Sequence, residues 1–149
     1  MTTLQIGDNA PDFFVHDQDG NTQSISQYKG KKIVLYFYPK ASTPGCTVQA
    51  CNLRDHYEEL LKLGYVVLGV SADDAVKLQK FKDKNNLPFP LLADVEKEVI
   101  QLYGVWGPKK FMGKTYDGIH RTTFVIDEAG VISEIISKVK TKEHFEQIV

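Results

Sequence analysis

The sequence is poor in cysteine, carries almost no net charge and has no long apolar run. Its 149 residues include 2 Cys and 4 His, and its formal net charge at pH 7 is −1. This balance, without a basic run that could track phosphates, excludes the electrostatic footprint of a nucleic-acid-binding protein. No apolar stretch reaches the length of a membrane span, and residues 1–5 lack the basic and apolar regions of a secretory signal. We therefore expect a cytoplasmic protein with no membrane or nucleic-acid partner.

The chain length and the spacing of the histidines limit the possibilities further. A chain of 149 residues buries about 68–70% of the surface of its unfolded form, so it needs no disulfide or metal staple. The sequence contains no internal repeat, low-complexity tract or linker, and residues 1–149 are predicted to form a single domain. His16, His56, His120 and His144 show no metal-ligand spacing with each other or with the cysteines. Neither a metal nor a cofactor is expected.

One stretch, residues 33–55, carries most of the chemical information. Residues 33–38 predict an apolar strand, and residues 42–45 predict a turn into a helix that begins beside Cys46. Backbone N–H groups in the first turn of a helix have no intrahelical partner and carry the positive end of the helix dipole. A cysteine placed there is favoured as its thiolate, which is the nucleophilic form. The stretch therefore predicts a reactive-cysteine site at Cys46.

Three further residues complete the candidate site. The Thr43 hydroxyl is able to donate to a substrate oxygen or to accept a backbone N–H group, and we expect it to cap the helix in addition to its functional role. Pro39 fixes its own φ angle, donates no hydrogen bond and ends the strand. Cys51, the only other cysteine, follows five residues after Cys46. Without this context, two cysteines would more often be inert, buried apolar side chains.

The whole chain predicts an ordered series of strands and helices. It begins with a hairpin whose strands are residues 14–16 and 22–24, a helical turn at residues 26–30 and the central strand, followed by a helix from Cys46 to about Leu63 that stops at Gly64. A strand at residues 65–71 comes next, then a helix capped by residues 73–74 and ending at residues 85–86, an edge strand at residues 87–93 and a short helix around Val99. The chain continues with a glycine-rich loop at residues 104–118, strands at residues 122–126 and 131–137, and a final helix at residues 141–149.

This order predicts the fold class. A strand, a helix and a strand followed by a β-hairpin and a helix form the order of the thioredoxin fold. The prediction is therefore α/β, a thioredoxin-like fold with a central mixed β-sheet flanked by helices and an extra N-terminal β-hairpin. The parallel strand–helix–strand unit places the start of the Cys46 helix at the carboxyl end of its strand, where α/β folds bind their ligands.

The motifs also resemble those of a known family. The pattern Pro39-x3-Thr43-x2-Cys46 resembles the active-site motif of the peroxiredoxins, and the spacing Cys46-x4-Cys51 resembles their bacterioferritin-comigratory-protein (PrxQ-type) branch. Later in the chain, residues 104–107 and 111–114 lead to residues 121–127, which are similar to the arginine-bearing strand of that family. The resemblance covers nearly the whole chain.

The resemblance implies a thiol-dependent peroxidase with a defined catalytic cycle. The Cys46 thiolate would attack a hydroperoxide, which gives a sulfenic acid and water or an alcohol. Arg121 would stabilise the charge on the leaving oxygen. Cys51 would then resolve the sulfenic acid as an intramolecular disulfide, and a thioredoxin-like dithiol would reduce that disulfide. The same branch implies a monomer, while the preferred hydroperoxide stays open.

Two other functions are compatible with the predicted fold. A thioredoxin-fold dithiol/disulfide oxidoreductase usually carries Cys-x-x-Cys, whereas four residues separate Cys46 from Cys51 here. A non-catalytic binding module of the same fold would need neither thiol. Trp106 and Phe111 lie in the predicted loop and are either core residues or one wall of the active pocket, and the sequence leaves this choice open.

Overall fold

The computed structural model describes residues 2–149 and contains nine strands and five α-helices in that range. The strands are β1 (Val15–His16), β2 (Thr22–Gln23), β3 (Lys32–Phe37), β4 (Tyr65–Ser71), β5 (Leu91–Ala93), β6 (Trp106–Phe111), β7 (Lys114–Ile119), β8 (Thr122–Ile126) and β9 (Ile132–Ile136). The helices are α1 (Pro44–Asp55), α2 (Tyr57–Lys62), α3 (Ala75–Asn85), α4 (Glu98–Leu102) and α5 (His144–Ile148), with 3-10 turns at Ser26–Tyr28 and Thr141–Glu143.

A mixed five-stranded sheet in the order β5-β4-β3-β8-β9 forms the centre of the molecule. β3 pairs in parallel with β4 and antiparallel with β8, and both of its faces are buried. Because alternate side chains of a strand point to opposite faces, Val34 and Tyr36 pack against α1, α3 and α5. Leu35 and Phe37 pack on the other face with α4 and the N-terminal segment. The start of α1 therefore lies at the carboxyl end of a rigid, buried strand.

Most of the predicted elements are confirmed. The N-terminal hairpin pairs β1 with β2 in antiparallel register, and β5 is an edge strand of the main sheet. The Asp74 carboxylate caps α3 by accepting the Lys77 N–H group at 2.9 Å. The final helix begins as a 3-10 turn and continues as α5. The mixed sheet, its flanking helices and the extra hairpin agree with the predicted architecture.

The prediction of one helix from Cys46 to about Leu63 is wrong, because the chain leaves helical geometry at His56. The His56 backbone has φ −111° and ψ 13°, and its N–H group donates to Arg54 O. The His56 ring nitrogen Nδ1 donates to Asn52 O at 2.9 Å. The side chain thus takes the carbonyl that would have accepted the His56 N–H group in a continuous helix. α1 and α2 are therefore separate helices.

The prediction of a glycine-rich loop at residues 104–118 is also wrong, because β6 and β7 form an antiparallel hairpin there. Its two-residue turn consists of Met112 and Gly113, with φ angles of 50° and 78°. Two successive positive φ angles are typical of the type I′ turn that closes tight hairpins. Asparagine or aspartate before glycine is the usual signal for this turn, and Met112 does not supply it. Phe111, beside the turn, is 63% exposed, so it is not a core residue.

Candidate active site

The Cys46 thiol lies in the first turn of α1, after the turn that follows the central strand β3. The first helical hydrogen bond of α1 is donated by Thr47 N to Thr43 O at 2.9 Å. The backbone N–H groups of Gly45 and Cys46 precede this bond, as the sequence predicted for an N-terminal thiol. Cys46 is a free cysteine and only 1% exposed. The sulfur therefore lies in a buried position that a small reactant would have to enter.

Arg121 makes the closest polar contact with this sulfur. Its Nη2 atom donates to Cys46 Sγ at 3.3 Å across a sequence separation of 75 residues, and its Nη1 atom donates to Gln49 Oε1. The contact forms because β8 pairs with β3, which places Thr122 opposite Phe37 and Arg121 one residue earlier. The two separated motifs of the sequence thus meet at one sulfur atom. A guanidinium group here stabilises negative charge on sulfur or on a bound oxygen.

Gly45 provides the space for this contact. A Cβ atom on Gly45 would lie only 3.3 Å from Arg121 Nη2, which is a tight approach for a side chain. The sequence motifs indicate neither this function of Gly45 nor the position of Gln49. Gln49 follows Cys46 by three residues, and this helical spacing would have placed it on the same face of α1. The side chain of Gln49 is fully buried.

Thr43 and Pro39 occupy the turn that leads to Cys46. Thr43 is at the N-cap position of α1, but its hydroxyl donates to Lys40 O at 2.7 Å. The interpretation of this hydroxyl as a helix cap is therefore wrong, since it makes no capping hydrogen bond. The bond instead closes the turn from Lys40 to Thr43. Pro39 follows the last residues of β3 and lines a neighbouring cavity.

Two cavities flank the site and share Lys109 in their walls. One, of about 380 Å³, is also lined by Pro39 and Trp106, and the other, of about 550 Å³, is also lined by Arg121. Burial lowers the pKa of Lys109, and nearby Arg121 lowers it further, whereas Cys46 has the opposite effect. Lys109 is therefore a second basic side chain near the sulfur. The structure also places Trp106 in a cavity wall beside the Pro39 turn.

Buried polar groups lie beneath the candidate site. Burial raises the pKa of Tyr36 well above its ordinary value, and Tyr38 and Cys46 act in the same direction. Tyr36 therefore stays protonated. Within residues 2–149, its hydroxyl and Gln49 Nε2 are buried without a hydrogen-bond partner. Gly69 lies opposite Tyr36 on β4, where a Cβ atom would approach the Tyr36 ring to 2.9 Å.

Cys51 lies on the same helix as Cys46, and the structure does not bring the two thiols together. Cys51 is a free, partly exposed cysteine whose Sγ–H group donates weakly to Asn85 Oδ1 at 3.8 Å. Five residues along a regular helix separate two Cα atoms by about 8–9 Å and turn their side chains about 140° apart. A disulfide needs Cα atoms within about 7 Å. The helix must therefore change its conformation before these thiols can be joined.

A metal-binding cluster and a membrane-spanning helix are both absent from the described part of the chain. Residues 2–149 contain no group of three or more His, Cys, Asp and Glu side chains that could hold a metal ion. None of the helices described there is both long and apolar enough to cross a membrane.

Known proteins resemble this chain over nearly its full length. The model of the AhpC/TSA family matches residues 6–135. Peroxiredoxin Bcp of Escherichia coli K12 is 49% identical over 148 residues, which cover 99% of this chain and 95% of that protein. The solved structure of a PrxQ mutant of Xylella fastidiosa has a TM-score of 0.93 at 27% identity and covers 99% of this chain and 94% of that one. Structures that address the alkyl peroxide reduction activity of Xanthomonas campestris bacterioferritin comigratory protein give a TM-score of 0.86 at 28% identity, with the same coverage.

These similarities agree with the motifs and with the fold. The structural neighbours confirm the predicted thioredoxin-like fold, in which a mixed sheet is flanked by helices. The family match includes the Cys46 turn and extends past Arg121, so it covers both parts of the candidate site. The chain therefore belongs to the AhpC/TSA family, within the Bcp/PrxQ branch of the peroxiredoxins, which are thiol peroxidases.

Proposed function

We propose that this chain reduces hydrogen peroxide and organic hydroperoxides, with Cys46 as the peroxidatic thiol, Cys51 as the resolving thiol and a thioredoxin-like dithiol as the electron donor. The observation that carries this proposal is the 3.3 Å contact between Arg121 Nη2 and Cys46 Sγ at the start of α1. It combines a nucleophile with a fixed positive charge where negative charge develops. Thr43 and Pro39 shape the turn in which this thiol lies.

In the first step, the Cys46 thiolate attacks one oxygen of the hydroperoxide. A sulfur–oxygen bond forms while the oxygen–oxygen bond breaks, and its electron pair leaves with the departing oxygen. That oxygen takes a proton and becomes water or an alcohol, and Cys46 is oxidised to a sulfenic acid. The Arg121 guanidinium donates to the sulfur and is positioned to donate to the oxygens.

In the second step, the Cys51 thiol attacks the sulfur of the Cys46 sulfenic acid. The disulfide bond forms, the sulfur–oxygen bond breaks, and the hydroxide leaves as water with the proton of the Cys51 thiol. An external dithiol then reduces the disulfide by thiol–disulfide exchange and is itself oxidised to a disulfide. We propose that the chain completes this cycle as a monomer, and sedimentation of both redox forms would test that.

The first prediction concerns Cys46→Ser, which removes the nucleophile and should abolish peroxide-dependent oxidation of a dithiol donor. Cys51→Ser should retain one rapid turnover per chain, because the sulfenic acid still forms, and should then lose turnover with a thioredoxin-type donor. Both variants need near-native circular dichroism as the folding control. Activity retained by Cys46→Ser would exclude the proposal. Peroxide-independent reduction of insulin disulfides by the wild-type chain would favour the dithiol/disulfide oxidoreductase instead.

A further inference from the structure

The side chain of Asn52 ties the C-terminal half of α1 to the last part of the chain. Its Nδ2 group donates to Lys142 O at 3.0 Å, and its Oδ1 atom accepts the Phe145 N–H group at 2.8 Å. Phe145 N lies in the first turn of α5, where Glu143 occupies the N-cap position without a side-chain capping bond. Asn52 therefore supplies from another helix an acceptor for an N–H group at the start of α5.

His56 strengthens the same connection one turn later. Its ring stacks on the Phe145 ring with a centroid distance of 4.2 Å and an interplanar angle of 8°. Its Nδ1 atom donates to Asn52 O at 2.9 Å. Leu53, between these residues, is fully buried in the same apolar cluster as Phe145. The segment 140–149 thus contacts and stabilises the part of α1 that directly follows Cys51 in the sequence.

Cys51 itself has a weaker hold on the opposite side of α1. The only hydrogen bond of its side chain within residues 2–149 is the 3.8 Å contact with Asn85 Oδ1, which is long even for sulfur. Arg54 adds a bond from Nη1 to Asn85 O at 2.7 Å, but it lies three residues further along. Because adjacent Cα atoms are about 3.8 Å apart, Cys51 cannot move far unless Asn52 moves with it.

We infer that Asn52 is a positioning residue that sets the rate of the resolving step, because its bonds to Lys142 and Phe145 hold Cys51 in the helix. The inference rests on the proposed function, in which Cys51 must leave its helical position to reach Cys46. While Cys51 is held, the sulfur of the Cys46 sulfenic acid can attack a second hydroperoxide. A second sulfur–oxygen bond forms, the oxygen–oxygen bond breaks, and water or an alcohol leaves, so that Cys46 becomes a sulfinic acid. Asn52 thereby determines how the sulfenic acid is divided between disulfide and sulfinic acid.

The test is Asn52→Ala, which removes both hydrogen bonds. We expect the first-order rate constant of disulfide formation to rise about fivefold or more, and the yield of sulfinic acid at high peroxide to fall. Alanine is a better helix former than asparagine. A substitution that acted only through helix propensity would therefore slow the unwinding, so the expected sign identifies the lost contacts. The peroxide-dependent oxidation of Cys46 should keep its second-order rate constant.

Two further variants separate Asn52 from a general loosening of the C-terminal segment. Asn52→Asp keeps the acceptor for Phe145 N and loses the donor to Lys142 O, so its acceleration should be smaller than that of alanine. Gln147→Ala removes bonds with Lys140 N, Lys138 O and His144 Nδ1, all within the C-terminal segment, and leaves both Asn52 bonds intact. Its resolving rate should equal that of the wild-type chain.

Rapid acid quenching followed by mass spectrometry measures sulfenic acid, disulfide and sulfinic acid in each variant. Wild-type chain that forms no Cys46–Cys51 disulfide would overturn the resolving step of the proposed function and, with it, this inference. Normal disulfide formation in the wild-type chain with no acceleration in Asn52→Ala or Asn52→Asp would overturn the inference alone. Equal acceleration in Gln147→Ala would also overturn it, because segment packing rather than Asn52 would then set the rate. Faster resolution in the two Asn52 variants only would support it.

Discussion

At the scale of single residues, Arg121 contributes two donors that one ammonium group cannot replace. One guanidinium nitrogen donates to Cys46 and another donates to Gln49, which fixes the plane of the group. The second prediction is that Arg121→Lys slows oxidation of Cys46 by hydrogen peroxide by at least about tenfold, while the free energy of unfolding changes little. Stopped-flow measurement of the second-order rate constant checks this. An unchanged constant would remove Arg121 from the peroxide step.

Gly45 gives a prediction in which stability and activity change independently. Gly45→Ala adds a helix-favouring residue in the first turn of α1, which should stabilise the chain by up to about 1 kcal/mol or leave it unchanged. Its Cβ atom would lie 3.3 Å from Arg121 Nη2 and should displace the guanidinium group from the sulfur. We therefore expect slower peroxide reduction with no loss in thermal stability. Slower reduction together with clear destabilisation would instead indicate a general disturbance of the turn.

The residues of the site differed in how far the sequence could identify them. The local chemistry of its turn predicts Cys46, whereas Arg121 is predicted only from the resemblance of residues 121–127 to the arginine-bearing strand of the peroxiredoxins. Gly45 and Gln49 were missed, because their importance depends on which face of α1 meets the start of β8. That relation is created by the β3–β8 pairing, which joins residues far apart in the sequence. Local patterns do not show which face of α1 meets β8, although the spacing of three residues from Cys46 does place Gln49 on the same face of the helix.

At the scale of secondary-structure elements, one wrong prediction has a tertiary cause and the other results from an atypical turn sequence. α1 ends at His56 because the ring of this residue bonds to Asn52 O and stacks on Phe145, which lies almost at the other end of the chain. The β6–β7 hairpin closes through a Met–Gly turn that lacks the usual sequence signal. The buried strands and α3 were predicted correctly, since apolar runs and an aspartate cap are local signals.

The helix α5 gives a prediction about pH. Its His144 is fully buried, with Nε2 bonded to Thr123 Oγ1 at 2.8 Å and Nδ1 to Gln147 Oε1 at 2.9 Å. Burial lowers the pKa of His144, Gln147 opposes this effect, and the charge of Arg121 supports it. The unfolded chain, with an ordinary histidine pKa near about 6.5, therefore takes up a proton that the folded chain resists. Stability should consequently fall as the pH decreases through about 6.5 towards the folded pKa.

The measurement is urea unfolding of the wild-type chain and His144→Gln between about pH 7.5 and pH 5.5. The variant should be less stable at the upper pH, because it loses a well-packed ring. The free energy of unfolding of the variant should then change less steeply with pH than that of the wild-type chain. The two slopes should differ by at most about 1.4 kcal/mol per pH unit. The two proteins differ only at position 144, so the difference between the two slopes isolates His144. Parallel slopes would contradict the prediction.

At the scale of the whole molecule, the predicted cycle connects the chemistry to the stability of α1. Both thiols are free and lie on one continuous helix, an arrangement that the proposed cycle assigns to its reduced state. The helical geometry that holds Cys46 beside Arg121 also keeps Cys51 away, because the side chains point about 140° apart. The same helix therefore favours the first step of the cycle and opposes the second.

The last prediction is that oxidation unwinds part of this helix. A disulfide needs Cα atoms within about 7 Å and converging Cβ vectors, and a regular helix gives about 8–9 Å at this spacing. Helical hydrogen bonds between residues 46 and 51 must therefore open and stay open in the disulfide form. Their loss makes the disulfide easier to reduce, and the exposed segment gives a dithiol donor access to it.

Hydrogen exchange across residues 47–57, measured on the reduced chain and on the peroxide-treated chain, checks this prediction. Amide protection should fall in that segment on oxidation, whereas the buried strands β3 and β4 should keep their protection, since they form the centre of the sheet. Cys51→Ser serves as the matched control, because it cannot form the disulfide and should show no such fall after peroxide treatment. Equal protection in both states of the wild-type chain, with the disulfide present by mass spectrometry, would mean that the thiols meet without unwinding of α1.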